Sequence, residues 1–185
     1  MPQNSSLSAL SATLVLGGAR SGKSRFAESL ARDSGLARVY LATATAGDAE
    51  MQTRIAHHRA RRGDGWRTVE EPLALVSVLG REANAERVVL VDCLTLWLSN
   101  LMHAGRDVEA EISALADWLR TARHPVILVS NEVGLGLVPE TPLGRAFRDA
   151  QGWLNQAVAA AVPEVAFIAA GLPLWLKRNA SERTT

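Results

Sequence analysis

Short, continuous apolar runs alternate along the chain with segments whose apolar residues recur at helical spacing. Runs without polar alternation are typical of parallel strands that are covered on both faces. Such runs predict strands at residues 12–16, 38–42, 86–92, 125–130 and 165–169. Amphipathic segments lie between them, so the pattern predicts an alternation of strands and helices.

The helical segments complete this picture. Apolar residues share one helix face at Phe26, Ala27, Leu30 and Ala31, at Val108, Ile112, Leu115 and Leu119, and, after Pro142, at Leu143, Ala146, Phe147, Ala150, Leu154, Ala157, Val158 and Ala161. The alternation predicts a three-layer α/β fold that binds ligands at the carboxyl ends of its strands. Because no repeat or linker interrupts the pattern, we expect one domain at residues 12–177, with tails at 1–11 and 178–185.

The composition is that of a globular protein without a nucleic-acid or membrane partner. The chain has 185 residues, 48% of them apolar, and a formal net charge of +1. It therefore lacks the strong field of proteins that bind nucleic acids or membrane surfaces. No apolar run reaches the length of a membrane span, and residues 1–11 lack the basic and apolar regions of a signal peptide. Since Cys93 is the one cysteine, we expect no intrachain disulfide and a cytoplasmic location.

A glycine-rich loop between the first predicted strand and the first predicted helix matches the phosphate-binding pattern G-x-x-x-x-G-K-[ST]. It comprises Gly17, Gly18, Ala19, Arg20, Ser21, Gly22, Lys23 and Ser24. In such a loop, backbone N–H groups and the positive end of the helix dipole converge on phosphate. Lys23 adds a charge at the β- and γ-phosphates, and the Ser24 hydroxyl is a ligand for Mg²⁺. A plain glycine turn is the alternative, but the strand–loop–helix context favours nucleoside triphosphate binding.

A carboxylate at the end of the third predicted strand is the second candidate for the phosphate site. Asp92 follows the apolar residues 88–91, as the acidic residue of a Walker-B strand does. There it would hold Mg²⁺ directly or through water, or accept a proton from an incoming hydroxyl. A helix cap for the segment after Cys93 is the alternative, but the glycine-rich loop favours the functional interpretation. Cys93 itself is predicted to be a small, buried apolar residue.

Residues 48–62 predict a helix that carries two adjacent histidines on different faces. At roughly 100° per residue, His58 shares a face with Met51, Ile55 and Arg62, whereas His57 shares one with Glu50, Arg54 and Arg61. A partly buried packing role is the better interpretation of His58. The arginines would keep His57 neutral, as a nucleophile towards phosphate requires, but spacing alone favours a solvated basic face.

Longer motifs give the chain a resemblance to one enzyme family. They are GGARSGKS, ATATAGDAEM, RIAHHRARRGDGWRTVEEP, VLVDCLTLWLSNL, VILVSNEVGLGLVPETPLGRAFRDAQGWLNQAVA and GLPLWLK. From about Ala12 to Lys177, the chain closely resembles the bifunctional adenosylcobinamide kinase/adenosylcobinamide-phosphate guanylyltransferases of cobalamin biosynthesis. The histidine-pair and NEVGLGLVPE segments are specific to that family, whereas the glycine-rich loop alone is generic. The main departure is the extension to Ser11; at Asp92 the family also uses glutamate.

The resemblance implies a RecA-like P-loop fold and two reactions. A nucleoside triphosphate, ATP or GTP, phosphorylates the aminopropanol hydroxyl of adenosylcobinamide, and GTP then donates GMP to the new phosphate. His57 matches the histidine that carries the guanylyl group, while Lys23 and Asp92 serve the kinase step, with Mg²⁺ held by Ser24 and Asp92. Beyond the glycine-rich loop, the implied nucleotide contacts are Thr43, Ala44, Thr45, Arg54, His58, Arg59, Ala60, Arg61, Glu70 and Asp92.

Further expectations concern the base, the acceptor and the assembly. Glu70 is expected to bind guanine or ribose, because a carboxylate accepts both N1–H and N2–H of guanine. Residues 131–140 are long for a strand–helix connection, which favours corrinoid contacts over an ordinary connection. The resemblance suggests a homo-oligomer, a trimer, with Trp97 and Trp153 as candidate interface residues. The rival classes are a P-loop small-molecule kinase without guanylyltransferase activity and a nucleotide-switched binding module.

Overall fold

The computed structural model describes residues 12–45 and 62–178. These residues form seven strands and five helices, numbered here in chain order. They are β1 (Thr13–Gly17), α1 (Lys23–Asp33), β2 (Ala37–Ala42), β3 (Trp66–Glu70), α2 (Leu75–Glu82), β4 (Arg87–Asp92), α3 (Leu94–His103), α4 (Val108–Thr121), β5 (Val126–Asn131), α5 (Pro142–Ala161), β6 (Glu164–Ala169) and β7 (Leu172–Lys177).

All the strands that the structure describes belong to one sheet, in the order β3-β2-β4-β5-β1-β6-β7. Neighbouring strands are parallel throughout, except that β7 runs antiparallel to β6. The predicted strands are confirmed as β1, β2, β4, β5 and β6, with small shifts at their ends. In this order β5 lies between β1 and β4, so the glycine-rich loop and Asp92 flank its carboxyl end.

The hydrophobic pattern does not predict the two edge strands. β3 reads WRTVE and has no fully buried residue, and β7 reads LPLWLK and is exposed at every position but one. An edge strand lacks a neighbour on one side and is less covered than a central strand, so it needs no continuous apolar run. Helix α2, at Leu75–Glu82, is also absent from the sequence-based prediction because it is short.

Helices cover both faces of the sheet. Leu14 and Leu16 pack in a cluster with residues of α2, α3, α4 and α5. Val15 faces the other way and packs in a second cluster with Ala27 and Ala31 of α1. This arrangement of helix, sheet and helix layers confirms the predicted three-layer α/β fold. None of the helices in the described ranges is long and apolar enough to cross a membrane.

One predicted interface residue is part of the core instead. Trp97 in α3 is 0% exposed, and its indole N–H donates to the Leu73 carbonyl oxygen at 2.9 Å. The prediction of a subunit contact for Trp97 is therefore wrong, because the ring is already enclosed within one chain. Trp153 in α5 is 57% exposed and keeps its place as an interface candidate.

Candidate active site

The glycine-rich loop connects the end of β1 to the start of α1, and its shape depends on two glycines. A Cβ added at Gly17 would lie 2.5 Å from Ser21 Oγ and 2.7 Å from the Ile168 carbonyl oxygen. Gly22 adopts a φ of 99°, a conformation that glycine reaches without steric cost. The two glycines therefore let the chain turn tightly against β6 before the helix begins.

Helix α1 starts without a side-chain cap. Its N-cap residue is Gly22, and its first turn contains no acidic residue. By contrast, Asp107 caps α4 by accepting a hydrogen bond from Ala110 N at 3.1 Å. The first N–H groups of α1 thus remain available to an anion, and the helix dipole favours negative charge at the same place.

Neighbouring groups hold the loop in this shape. Lys23 Nζ donates to the Gly18 carbonyl oxygen at 3.4 Å, so the ammonium group lies back over the loop. The turn between β6 and β7 also holds the loop, because Gly171 N donates to the Ser21 carbonyl oxygen at 2.8 Å. Within the described chain, Ser21 Oγ is buried without a hydrogen-bond partner. These contacts fix the shape of the loop before any ligand binds, as a preformed phosphate site requires.

Asp92 ends β4 next to Tyr40, a buried residue of β2. Burial, and then the charge of Asp92, raises the pKa of the Tyr40 phenol far above its usual value. On the ring of Tyr40 lies the Arg62 guanidinium, 3.4 Å from the ring centre, and Arg62 is only 7% exposed. Sequence reasoning gives Arg62 no role. The available signal was its position on the same predicted helix face as apolar residues.

The alternative role of Asp92 as a helix cap does not hold, because α3 begins at Leu94 and its N-cap residue is Cys93. Cys93 is 7% exposed, which confirms its prediction as a small buried residue. Burial, followed by the charge of Asp92, raises the pKa of the Cys93 thiol to about 11. A thiol with this pKa stays protonated near neutral pH and is a poor nucleophile.

The loop after β2 is fastened to this strand end. Thr43 Oγ1 donates to the Cys93 carbonyl oxygen at 2.7 Å and accepts from Cys93 N at 2.9 Å. Asn100 Nδ2 donates to the Thr43 carbonyl oxygen at 2.7 Å. Thr43 is fully buried, so its hydroxyl serves the fold. The predicted contact of residues 43–45 with the nucleotide stays a prediction.

Glu70 lies on the same edge of the sheet. Ala42 is paired in register with Glu70 on one side and with Asp92 on the other. Because neighbouring strands lie about 4.8 Å apart, the backbones at Glu70 and Asp92 are separated by about two strand spacings. Glu70 is exposed, and its proposed contact with the base stays a prediction.

The predicted histidine segment lies outside the described residues. It contains His57 together with Arg54, His58, Arg59, Ala60 and Arg61, all between residues 45 and 62. Their roles therefore stay predictions. The described flanks of the segment are Thr45, in the loop after β2, and Arg62, on the ring of Tyr40.

The donors present fit a magnesium ion of the kind that P-loop proteins bind. Within residues 12–45 and 62–178, no group of three or more His, Cys, Asp or Glu residues could hold a metal ion. Mg²⁺ does not need such a group, because it keeps several waters and takes one or two protein oxygens together with substrate phosphates. The Ser24 hydroxyl and the Asp92 carboxylate are oxygen donors of this type.

Sequence comparisons connect the chain to proteins with known names. A family model described as cobinamide kinase / cobinamide phosphate guanyltransferase matches residues 13–176. The chain is 56% identical over 166 residues to the bifunctional adenosylcobalamin biosynthesis protein CobP of Pseudomonas aeruginosa, covering 89% of this chain and 96% of the relative. It is 41% identical over 179 residues to the bifunctional adenosylcobalamin biosynthesis protein CobU of Escherichia coli, covering 89% of this chain and 98% of the relative.

Solved structures agree on the fold. A protein of Pyrococcus horikoshii OT3 matches with a TM-score of 0.55 at 11% identity, over 94% of this chain and 89% of that one. An ATPase from the type III secretion system of pathogenic bacteria matches with a TM-score of 0.50 at 11% identity, over 90% of this chain and 57% of that one. At such low identity these likenesses show the fold alone.

Proposed function

The chain belongs to the cobinamide kinase / cobinamide phosphate guanyltransferase family, and we propose that it catalyses both reactions on adenosylcobinamide. The first transfers a phosphoryl group from ATP or GTP to the acceptor hydroxyl. The second transfers GMP from GTP to the resulting phosphate and releases pyrophosphate. The observation that carries the kinase half is the uncapped start of α1 beneath a preformed glycine-rich loop.

Phosphoryl transfer asks the protein for positioning and charge neutralisation rather than for covalent help. The acceptor hydroxyl oxygen loses its proton to water and forms a bond to the γ-phosphorus. The bond from that phosphorus to the bridging oxygen breaks, and the nucleoside diphosphate leaves. Backbone N–H groups of the loop and the Lys23 ammonium hold the nucleotide phosphates. Ser24 and Asp92 would hold a magnesium ion, which neutralises charge on the transferring group when bound.

The guanylyl half depends on His57 by resemblance. A ring nitrogen of His57 forms a bond to the α-phosphorus of GTP, and pyrophosphate leaves. An oxygen of adenosylcobinamide phosphate then attacks the same phosphorus, and the phosphorus–nitrogen bond breaks. In this proposal Arg54, Arg61 and His58 hold phosphate oxygens, and Arg59 and Ala60 also contact the nucleotide.

Base recognition is assigned to Glu70. Its support is the register that places Glu70 on the same sheet edge as Asp92. A carboxylate that accepts from the N1–H and N2–H groups of guanine discriminates against adenine, which presents no such pair. Residues 43–45, which precede the histidine segment, are assigned to the same nucleotide.

The acceptor and the assembly are further parts of the proposal. In the loop after β5, Leu135, Leu137 and Val138 are 84%, 96% and 67% exposed, which suits contact with a bulky, largely apolar corrinoid. Along β7, Leu172, Leu174 and Leu176 are 72%, 61% and 59% exposed. Exposed apolar residues at a sheet edge favour a homo-oligomer, and the resemblance points to a trimer, here of single-domain subunits. The single cysteine suits a reducing compartment, so the proposed location is the cytoplasm.

The direct test supplies purified protein with adenosylcobinamide, ATP and Mg²⁺, and follows the corrinoid by mass spectrometry. We expect adenosylcobinamide phosphate first and, after GTP is added, adenosylcobinamide-GDP together with pyrophosphate. Formation of the phosphate alone would support the alternative, a P-loop kinase without guanylyltransferase activity. Failure to modify the corrinoid with either nucleotide would contradict the proposal as a whole.

A further inference from the structure

Strand β5 lies between β1, which leads into the glycine-rich loop, and β4, which ends at Asp92. It ends in Asn131, which has no role in the kinase step described above. β5 is hydrogen-bonded to β1 on one side and to β4 on the other. In register, Asn131 pairs with Gly17, the first residue of the loop, and Asp92 pairs with Val129. Asn131 thus occupies the strand end between the two phosphate-site elements.

The face of the sheet on which Asn131 lies follows from its neighbours. Ile127 and Val129 belong to the apolar cluster that includes Ala27 and Ala31 of α1. Since residues two apart on a strand share a face, Asn131 lies on the α1 face too. Asp92 lies on that face by the same argument, because Val88 and Leu90 belong to the same cluster. Lys23 begins α1 on this side of the sheet.

Two hydrogen bonds fix the backbone of Asn131. Its N–H donates to Thr95 Oγ1 at 2.9 Å, and its carbonyl oxygen accepts from Asn155 Nδ2 at 3.1 Å. Asn155 is itself held, since its Oδ1 accepts from Ser130 Oγ at 2.7 Å and from Gln151 Nε2 at 3.0 Å. Ser130 and Gln151 are 0% exposed and Asn155 is 7% exposed. The hydrogen bonds that hold Asn131, called the brace below, are therefore buried.

The side chain of Asn131, in contrast, makes no hydrogen bond to any residue in the described parts of the chain. It is only half-buried, and therefore open to a ligand. A fixed backbone that presents an unused amide donor is the arrangement expected of a group that binds charge developing in a transition state. We propose that the Asn131 amide donates a hydrogen bond to an oxygen of the γ-phosphoryl group during the kinase step.

This inference rests on the proposed kinase activity, but a binding experiment can test it without the corrinoid. The probes are ADP and the β,γ-imido analogue of ATP, each titrated by calorimetry with Mg²⁺ present. Removing a donor aimed at the γ-phosphate in Asn131→Ala should weaken the analogue about tenfold, on the scale of a hydrogen bond to a charged group. ADP, which lacks that group, should keep its affinity within a factor of about two.

Kinase turnover should fall about a hundredfold in the same variant, on the scale of a lost oxyanion donor. Asn131→Asp, which keeps the shape but replaces the donor with a charge, should weaken the analogue at least as much. Asn84→Ala is the matched control. Asn84 precedes β4 at the opposite edge of the sheet, where its side chain accepts from Glu86 N, and the variant should match the wild type.

Equal weakening of ADP and the analogue in Asn131→Ala would overturn the inference, because it would show a general distortion of the loop. Unchanged binding of both nucleotides, with unchanged turnover, would overturn it as well. These results differ from a failure of the proposed function. In that case the wild-type protein itself would leave adenosylcobinamide unmodified.

Discussion

Gly17→Ala is the most direct test of the shape of the glycine-rich loop. The added methyl group would clash with two neighbours, one of which can move and one of which cannot. One is Ser21 Oγ at 2.5 Å, the end of a side chain that can rotate away. The other is the Ile168 carbonyl oxygen at 2.7 Å. That oxygen belongs to β6, which is paired in register with β1, so it cannot yield without moving a strand.

The cost is therefore that of overpacking against rigid backbone, about 1–3 kcal/mol. For a domain of this size, each kcal/mol shifts the melting temperature by about 2–4 °C. We expect Gly17→Ala to lower Tm by roughly 2–12 °C without nucleotide present. Adding Ser21→Ala should recover only part of the loss, since the contact with Ile168 persists.

Gly18→Ala is the matched control within the same loop. A Cβ at Gly18 would meet no atom within 4 Å, so this variant should melt within about 2 °C of the wild type. Both variants would be measured by thermal denaturation followed by circular dichroism. If Gly17→Ala melted with the wild type, or if both variants lost stability equally, the steric argument for the loop would be wrong.

Two further predictions address the charge and the thiol near the loop. Lys23→Ala should lower kinase turnover about a hundredfold. The control is Lys177→Ala, which should keep its turnover, because the Lys177 ammonium binds the Val162 carbonyl oxygen at the opposite edge of the sheet. Similar turnover in both variants would contradict the role of Lys23. The pKa of Cys93 is raised from 9.0 to about 11, which lowers the thiolate fraction at pH 8 about a hundredfold. Iodoacetamide should therefore alkylate the native protein at least about a hundredfold more slowly than the unfolded protein. Equal rates would contradict the burial of the thiol.

The sequence predicts those parts of the fold that rest on continuous apolar runs or on a local motif. β1, β2, β4, β5 and β6 are covered on both faces, so their apolar runs are unmistakable. The glycine-rich loop is predictable because a backbone that wraps phosphate needs glycine at fixed positions. The edge strands β3 and β7 escape prediction, because partial exposure allows polar residues in one and proline in the other.

The parts of the candidate site that depend on long-range packing cannot be predicted in this way. Nothing local to Arg62 indicates that its guanidinium lies on the ring of Tyr40. The brace around Asn131 joins Thr95 and Asn155, which are distant from it and from each other along the chain. Trp97 shows the same limit, since it is expected at a subunit interface but lies in the core. A large aromatic residue in a sequence does not reveal whether its own core or a partner subunit covers it.

The central claim is that this protein is a kinase that also carries GMP on a histidine. Transfer of label from GTP to the protein tests that claim most directly. Wild-type protein incubated with α-labelled GTP and Mg²⁺ should retain label on a denaturing gel, and the bond should be labile to acid and stable to base, as a phosphoramidate is. His57→Ala should take up no label while keeping part of its kinase activity, because Lys23 and Asp92 remain. His58→Ala should still be labelled. Label on His57→Ala but not on His58→Ala would reverse the assignment, and an unlabelled wild-type protein would contradict the guanylyltransferase function.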